Sequence, residues 1–355
     1  MESTLPNTLP GRMQSAANAA KPRVAELDAL RGLAALAVMM FHYTSHYHRE
    51  IGHLQPPPFG FDAGNYGVHL FFLISGFVIF MTLDRTKTAA DFVVSRLSRL
   101  FPAYWTAMAI TAAVVYSVGM PAQRIPLRDL VANLCMVQDL FGFRQLDGSY
   151  WTLEIELFFY AQMLGWYTLG LLSRIHWIVA GWLALAVLYA LTEQHHRHFS
   201  YLLREVLILR HIPFFALGIL FYRRYLRSDG LWRDLGLMAL SLLAIRIADA
   251  PVFFVVALAC CAIFAAFVTG WLRWLSMPFF AFFGGISYSL YLLHQAIGFA
   301  AMHRLEAAGV PTMAAIAIAI GIAIALATAL TRFVERPAMH AIRRWWRARQ
   351  VASVA

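Results

Sequence analysis

Arg31 and His42 are the first residues in the sequence whose types and spacing suit catalysis. They lie eleven residues apart within one apolar stretch, and at about 100° per residue this spacing puts both side chains on one face of a helix. About 16 Å of helix axis separates them, so they cannot touch and must act at two depths. A neutral imidazole can take a proton from a reacting hydroxyl, whereas a guanidinium can bind a phosphate.

Other ionisable residues recur in the apolar stretches, where each is costly unless it has a partner or a function. Arg96 and Arg99 are predicted at the level of Arg31, next to Pro102, which can open a helix. Counted from the ends of their own stretches, five residues fall at the level of His42: His69, Glu154, Glu156, Arg210 and His294. The sequence therefore predicts a basic layer that faces the cytoplasm and a second layer, mixing His, Glu and Arg, toward the periplasm.

Purely structural roles can also explain these residues. A single intramembrane histidine such as His42 can be a core residue that is hydrogen-bonded to a carbonyl. Arg96 and Arg99 can be ordinary topology determinants. Glu154 fits a solvated position at the membrane interface better than Glu156 does. Spacing alone does not decide between these alternatives.

The histidines also raise the question of a metal site. His42 and His46 are one helical turn apart, and a second cluster contains His195, His196 and His198. Neither group has a nearby cysteine, and the second can be a wetted, weakly basic patch. We therefore predict no metal site.

The elements that would position these residues are predicted to be membrane helices. The chain has 355 residues, of which 60% are hydrophobic and 14% are charged, and it is too apolar for a soluble domain. Apolar stretches near the ~20 residues that cross a bilayer recur along it. The predicted fold is all-α, a polytopic integral membrane protein with about ten transmembrane helices. The predicted spans are Ala29–Tyr47, Asn65–Leu83, Pro102–Met120, Tyr150–Leu172, Ile175–Leu191, Val206–Tyr222, Leu231–Ile247, Val252–Leu272, Phe279–Met302 and Met313–Val334.

The net charge of +10 raises the question of nucleic-acid binding, but the basic residues follow membrane topology instead. The connections on one side of the predicted membrane carry roughly twice as many basic residues as those on the other side. This matches the positive-inside rule if both termini are cytoplasmic. We therefore predict a multi-pass protein of the bacterial inner membrane with no nucleic-acid partner. Residues 1–22 are predicted to be a disordered cytoplasmic N-terminus, residues 23–337 the transmembrane domain and residues 338–355 a basic cytoplasmic tail. The longest connection, Pro121–Ser149, is long enough to cover a site on the outer side.

Six segments, in order along the chain, resemble the acyltransferase-3 family of membrane-bound bacterial O-acyltransferases that modify surface polysaccharides. They are Leu27–Ala35 with His42, Gly67–Phe77, Arg96–Tyr104, Tyr150–Tyr160, Ile286–His294 and Phe333–Pro337. The sequence departs from the family pattern in two places. Thr152 replaces the usual Ser of the tryptophan motif, and His69 stands where many members have Asp. No esterase-like domain follows the last predicted span, so we expect the stand-alone form of the enzyme.

The resemblance implies transfer of an acyl group, often acetyl, from cytoplasmic acyl-CoA to a hydroxyl of a glycan or lipid-linked saccharide, with no tightly bound cofactor. Arg31, Arg96 and Arg99 would then bind the phosphates of the coenzyme. His42 would act as the general base, and Glu156 would orient its imidazole.

The other residues of the outer layer are expected to bind the acceptor or to support the site. Arg210 is a candidate for stabilising the oxyanion, on depth alone. Tyr150 and Trp151 can stack on a sugar ring, although aromatic residues at this level are commonly interface anchors. Supporting roles are assigned to His69, Glu154 and His294.

A multi-span transporter or flippase for an envelope glycan or a small solute is the alternative function. Such proteins also place ionisable residues at mid-membrane, but many have repeated halves with interrupted helices, and this chain has no such internal symmetry. A sensor or scaffold explains the intramembrane charges less well. The family resemblance favours the enzyme.

Overall fold

The computed structural model describes residues 24–194 and 200–352, and the regular elements in these ranges are all helical. Apart from the single α-helical turn Tyr47–Glu50, the α-helices are α1 (Ala25–Phe41), α2 (Gly67–Leu83), α3 (Ala89–Ser117), α4 (Leu127–Ala132), α5 (Trp151–Thr168), α6 (Ile175–Gln194), α7 (Tyr201–Val206), α8 (Ile212–Tyr225), α9 (Leu231–Ala248), α10 (Pro251–Val268), α11 (Pro278–Leu293), α12 (Gln295–Ala307), α13 (Thr312–Leu330) and α14 (Arg336–Ala352). Two π-helical turns, His42–His46 and Thr331–Glu335, follow α1 and α13. The all-α prediction is confirmed for these ranges. The predicted N-terminal segment 1–22 and the histidines at 195, 196 and 198 lie outside the described residues.

Five helical segments in the described ranges are long and apolar enough to cross a membrane. They are Asp62–Leu83, Ala89–Ser117, Leu172–Thr192, Pro251–Val268 and Thr312–Val351. Some other predicted spans fall on shorter or interrupted helices. Helix α8 has 14 residues, and the ninth predicted span, Phe279–Met302, is divided at His294. The described chain is therefore helical, with five segments that are long and apolar enough to span a membrane, while the number of ten spans and the cytoplasmic position of both termini remain predictions.

The expected opening of the third helix at Pro102 is wrong. Helix α3 begins at Ala89, where the Thr88 side chain accepts a hydrogen bond from the Asp91 N–H at 3.1 Å and so caps the helix. Pro102 lies inside α3 and has no N–H, so it cannot bond to the Ser98 carbonyl one turn back. The arginines that precede it therefore lie on a continuous helix.

Helices α1 and α11 pack closely because glycines face each other. A Cβ atom on Gly32 would lie 2.6 Å from the backbone nitrogen of Gly284, and one on Gly284 would lie 2.4 Å from the carbonyl oxygen of Asp28. No side chain fits at these distances, and contacts between small residues let membrane helices approach closely. This contact brings Arg31 on α1 and Gly285 on α11 to the wall of one cavity.

Aromatic side chains fill the core between α2, α5 and α8. Phe159 and Phe215 are fully buried, and their rings stack with 4.2 Å between centroids. Gly76 on α2 allows this packing, since a Cβ atom there would lie 2.1 Å from the Phe215 carbonyl oxygen. Because both α5 and α2 pack on Phe215 of α8, the core fixes α5, which carries Glu156, in position next to α2.

The C-terminal helix α14 packs on α3. Trp346 Nε1 and Gln350 Nε2 both donate to Asp91 Oδ1, at 2.8 and 2.7 Å. Arg343 donates to the Ser95 carbonyl oxygen at 2.9 Å. The segment predicted as a basic tail is therefore, through most of its length, a helix held against the start of α3.

Candidate active site

His42 and His294, which were predicted at the same level, are in contact. His42 begins the π turn after α1, and His294 lies at the junction of α11 and α12. His42 Nδ1 is 2.8 Å from His294 Nε2, a hydrogen-bond distance between residues 252 positions apart. The Tyr43 hydroxyl, in the same π turn, donates to the His294 carbonyl oxygen at 2.6 Å. The π turn is therefore docked on the helix junction at two adjacent points, and we call His42 and His294 the histidine pair.

The hydrogen bonds of the histidine pair assign a proton to each neutral ring. His294 Nδ1 lies 2.9 Å from the Tyr291 carbonyl oxygen, and a carbonyl can only accept, so this nitrogen carries the proton. His294 Nε2 is then the acceptor for the Nδ1–H of His42. This leaves His42 Nε2 without a proton. The geometry therefore offers that nitrogen as a base toward a hydroxyl group.

The long connection Pro121–Ser149 packs against residues that flank His294, as expected for a segment that covers a site. The Gln123 side chain donates to the Ala296 carbonyl oxygen at 2.9 Å, and Asp147 Oδ2 accepts from the Ala296 N–H at 2.9 Å. Asp147 is 1% exposed and was not predicted as a site residue. The available signal was the Asp-Gly-Ser sequence before the tryptophan motif, because Asp and Gly favour turns and Asp caps helices.

The three predicted anion-binding arginines line one cavity of about 540 Å³ toward the start of α1. Arg31 comes from α1, and Arg96 and Arg99 come from α3. We call this space the basic cavity. Its walls include further charged or titratable side chains that were not predicted as site residues. They are Asp28, Arg85, Tyr288, Glu335, Arg336, His340 and Arg343.

A smaller cavity of about 70 Å³, here called the narrow cavity, adjoins the basic cavity and is lined by Glu156. The two cavities share lining residues from α1, α3 and α11. Glu156 accepts hydrogen bonds from Ser75 Oγ at 2.6 Å and from the Tyr160 hydroxyl at 2.5 Å. The structure thus brings Glu156 together with the arginines. Within the described residues it does not join Glu156 to His42 by a hydrogen bond.

His69, Trp151 and Arg210 line a third cavity of about 430 Å³, here called the aromatic cavity. Arg210 is exposed and pairs with Asp249 at 2.8 Å. Burial raises the pKa of the Asp249 carboxyl above its ordinary value, and the nearby Arg210 opposes this by favouring the charged form. The structure brings the three predicted residues together, but in the part of the chain it describes Arg210 is not hydrogen-bonded to the histidine pair.

Two other predicted residues are buried and hold neighbouring segments. Tyr150 has no exposed surface, and its ring centroid lies 5.2 Å from that of Tyr104, so it is not at the mouth of a site where a sugar could stack. Glu154 is 6% exposed and accepts from the backbone N–H groups of Asp139 and Leu140 at 3.2 and 3.1 Å. The expectation of a solvated, interfacial Glu154 is therefore wrong.

The sequence of this helical domain matches a known family. Residues 24–332 fit a family sequence model described as an acyltransferase domain, and they include the histidine pair and the three predicted arginines. The chain belongs to the acyltransferase-3 family. Five of the six resembling segments lie inside the matched range, while Phe333–Pro337 and helix α14 follow it.

Curated relatives match parts of this acyltransferase-3 chain. Exopolysaccharide production protein ExoZ of Rhizobium meliloti is 31% identical over 30% of this chain and 35% of its own length. Nodulation protein 10 of Rhizobium leguminosarum bv. viciae is 30% identical over 45% of this chain and 47% of its own length. An O-acetyl transferase of Shigella phage Sf6 is 29% identical over 38% of this chain and 43% of its own length. The chain thus spans less than half the length of these relatives, and no solved structure matches it significantly.

Proposed function

We propose that this protein is a membrane O-acyltransferase that moves an acyl group, with acetyl as the first candidate, from cytoplasmic acyl-CoA to a hydroxyl of a cell-envelope glycan. Membership of the acyltransferase-3 family supports the reaction type. Relatives named for exopolysaccharide production and for O-acetyl transfer support a saccharide acceptor, either free or lipid-linked. In this proposal the chain crosses the bacterial inner membrane about ten times, with both termini in the cytoplasm, so the basic cavity opens to the cytoplasm.

The observation that carries the proposal is the hydrogen-bond chain from the Tyr291 carbonyl through His294 to His42. His42 Nε2 accepts the proton of the acceptor hydroxyl while the hydroxyl oxygen attacks the thioester carbonyl. A C–O bond forms, the C–S bond breaks as the tetrahedral intermediate collapses, and the proton passes from His42 to the leaving thiolate, which gives free coenzyme A. His294 keeps its Nδ1 proton throughout and accepts from His42 Nδ1–H, which holds the ring in place.

Donor binding uses the arginines toward the other end of α1. Arg31, Arg96 and Arg99 hold the phosphates of the coenzyme through forked, charge-assisted hydrogen bonds. The narrow cavity, which Arg31 and Arg99 line, leads from these two arginines toward the histidine pair. Tyr291 lines this cavity, and its backbone carbonyl accepts the hydrogen bond from His294. A pantetheine arm that follows this path carries the thioester toward the base.

Glu156 takes a different role from the one expected from its depth. Glu156 lines the narrow cavity together with Arg31 and Arg99, and the Tyr160 hydroxyl fixes its carboxylate. We therefore assign Glu156 to orienting the arginines. His294 takes its place as the partner of His42.

The test compares the acyl content of the surface glycans, by NMR, in the host with and without the gene. The wild-type gene should restore the acyl signal in the deletion strain. A His42→Ala gene should not, although the variant reaches the membrane in normal amount, because loss of a general base lowers the rate about 10²–10⁴-fold. Unchanged acylation in the deletion strain, together with reduced glycan export, would overturn the proposal in favour of a flippase.

A further inference from the structure

Helix α14 forms a wall of the basic cavity, although it lies beyond the residues that match the family model. Arg336, Met339, His340 and Arg343 line the cavity, whereas the match ends at residue 332. Contacts with α3 hold the helix in this position, among them the bond from Arg343 to the Ser95 carbonyl. This arrangement places the polar side chains of Arg336, His340 and Arg343 at the wall of the basic cavity.

The basic cavity carries far more positive than negative charge. Of the described residues that line it, six are arginines and two are carboxylates. The ion pair found among these groups within the described chain is Arg31 with Asp28, at 3.7 Å. The charge of Arg99 repels those of Arg31, Arg96 and Arg343. Because partly buried cations without counter-charges are costly, the cavity suits a ligand with several negative charges.

The basic cavity has different residues at its two ends. Arg31 and Arg99 also line the narrow cavity, which leads toward the histidine pair, whereas the lining residues of α14 belong to the basic cavity. Helix α14 therefore stands at the end that is remote from the proposed base. Gly285 makes room for one of its side chains, since a Cβ atom there would lie 2.9 Å from the Arg336 guanidinium.

We propose that Arg336, His340 and Arg343 form a subsite for the 3′-phosphate of coenzyme A, while the deeper arginines hold its diphosphate. The subsite rests on the proposed function. In coenzyme A the 3′-phosphate and the thiol are at opposite ends of the molecule, so a thioester directed to the histidine pair leaves the 3′-phosphate at α14. Two guanidinium groups suit a phosphate dianion because they form forked, charge-assisted hydrogen bonds.

The test measures the binding of coenzyme A and of 3′-dephospho-coenzyme A by calorimetry, with the full-length protein in nanodiscs of neutral phosphatidylcholine. The wild type should bind coenzyme A about ten-fold more tightly or better, as expected for charged hydrogen bonds. In Arg336→Gln and Arg343→Gln the ratio of the two affinities should fall toward one. Arg344→Gln removes the same charge from a neighbouring, exposed position of α14 and should keep the ratio.

Arg343 also holds α14 on α3, so Arg336→Gln decides the result if the other variant is unstable. A ratio that survives in Arg336→Gln, or a wild type that binds both ligands equally, would overturn the subsite and leave the donor function intact. A wild type that binds neither ligand would overturn the subsite and the coenzyme donor together. Nanodiscs with phosphatidylglycerol test the other source of an anion. If the wild type loses coenzyme A binding in these nanodiscs, while Arg336→Gln keeps it in the same nanodiscs, the arginines of α14 would be assigned to a lipid head group instead.

Discussion

A backbone carbonyl, rather than a carboxylate, sets the proton positions in the histidine pair. The Tyr291 oxygen accepts from His294, and His294 in turn accepts from His42. The hydrogen-bond partner of each ring is uncharged, so the arrangement orients the base without hydrogen-bonding an ion to it in apolar surroundings, where unpaired charge is costly. The only proton that changes place in the proposed reaction is then that of the acceptor hydroxyl, which passes through His42 Nε2 to the leaving thiolate.

Replacement of His294 by alanine should lower kcat about ten-fold or more and change the KM for acyl-CoA little, because His42 loses the group that orients its ring. His294→Gln should recover part of the loss, since the glutamine amide oxygen can accept from His42 Nδ1–H. Initial rates in proteoliposomes at saturating and limiting acyl-CoA separate kcat from KM. Equal rates for the two variants would argue against an orienting hydrogen bond.

Depth along a span could be predicted from the sequence, but direction around the helix axis could not. His42 and His294 were placed at one level because span length fixes depth, and they are in contact. Glu154 and Glu156 were assigned to that level as well. Two residues apart, they point about 200° away from each other around the helix. Glu154 therefore meets backbone N–H groups of the long connection, and Glu156 meets the side chain of Tyr160.

At the scale of secondary-structure elements, both histidines of the candidate active site lie where a helix is interrupted. The π turn after α1 and the junction of α11 with α12 each carry one member of the histidine pair, and π turns are frequent at functional sites. The predicted spans ran through both places because the apolar stretches do not stop there. The interruptions are held by contacts between distant residues, such as the Tyr43 hydroxyl on the His294 carbonyl. A hydropathy pattern contains no information about such contacts.

Gly32→Ala should destabilise the protein, because the added methyl group would overlap the backbone of α11 at Gly284. Overpacking of this kind costs about 1–3 kcal/mol, so the melting temperature in detergent, followed by circular dichroism, should fall by several degrees. Gly321→Ala is the control, since within the described chain no atom outside its own stretch of helix lies within 4 Å of a Cβ added there. That variant should keep or slightly raise stability, because alanine is the better helix former. Similar melting temperatures for the two variants would contradict the packing argument.

At the scale of the whole molecule, the proposed donor-binding arginines and the proposed base lie toward opposite ends of α1. The basic cavity lies toward one end, the histidine pair follows the other, and the narrow cavity lies between them. The basic layer and its arginines could be predicted because charge and depth are both readable in a membrane sequence. The contribution of α14 could not. Its docking depends on contacts of Trp346 and Gln350 with Asp91, and its basic composition is equally typical of a solvated tail.

A reporter fused to the C-terminus should be cytoplasmic, because α14 is rich in arginine and follows the last long apolar segment. A fluorescent-protein fusion should therefore be bright and an alkaline phosphatase fusion inactive. The same two reporters inserted into the connection Pro121–Ser149 are the control and should give the reverse pattern. An active phosphatase at the C-terminus would reverse the orientation and exclude the basic cavity as a cytoplasmic donor site.

Arg31→Gln should weaken acyl-CoA binding, whereas His42→Ala should leave it nearly unchanged, because the two side chains serve opposite ends of the proposed path. A hydrogen bond to a charged group contributes about 1.5–3 kcal/mol, so the Kd of Arg31→Gln should rise about 10- to 100-fold. Arg246→Gln removes the same charge from an exposed position on α9 and is the matched control. Calorimetry on the purified protein gives the affinities. In turnover assays, Arg31→Gln should raise KM and keep part of kcat, while His42→Ala should lose kcat at every donor concentration. An equal loss of affinity in both variants would mean that the two residues act at one depth, and the two-ended arrangement would be wrong.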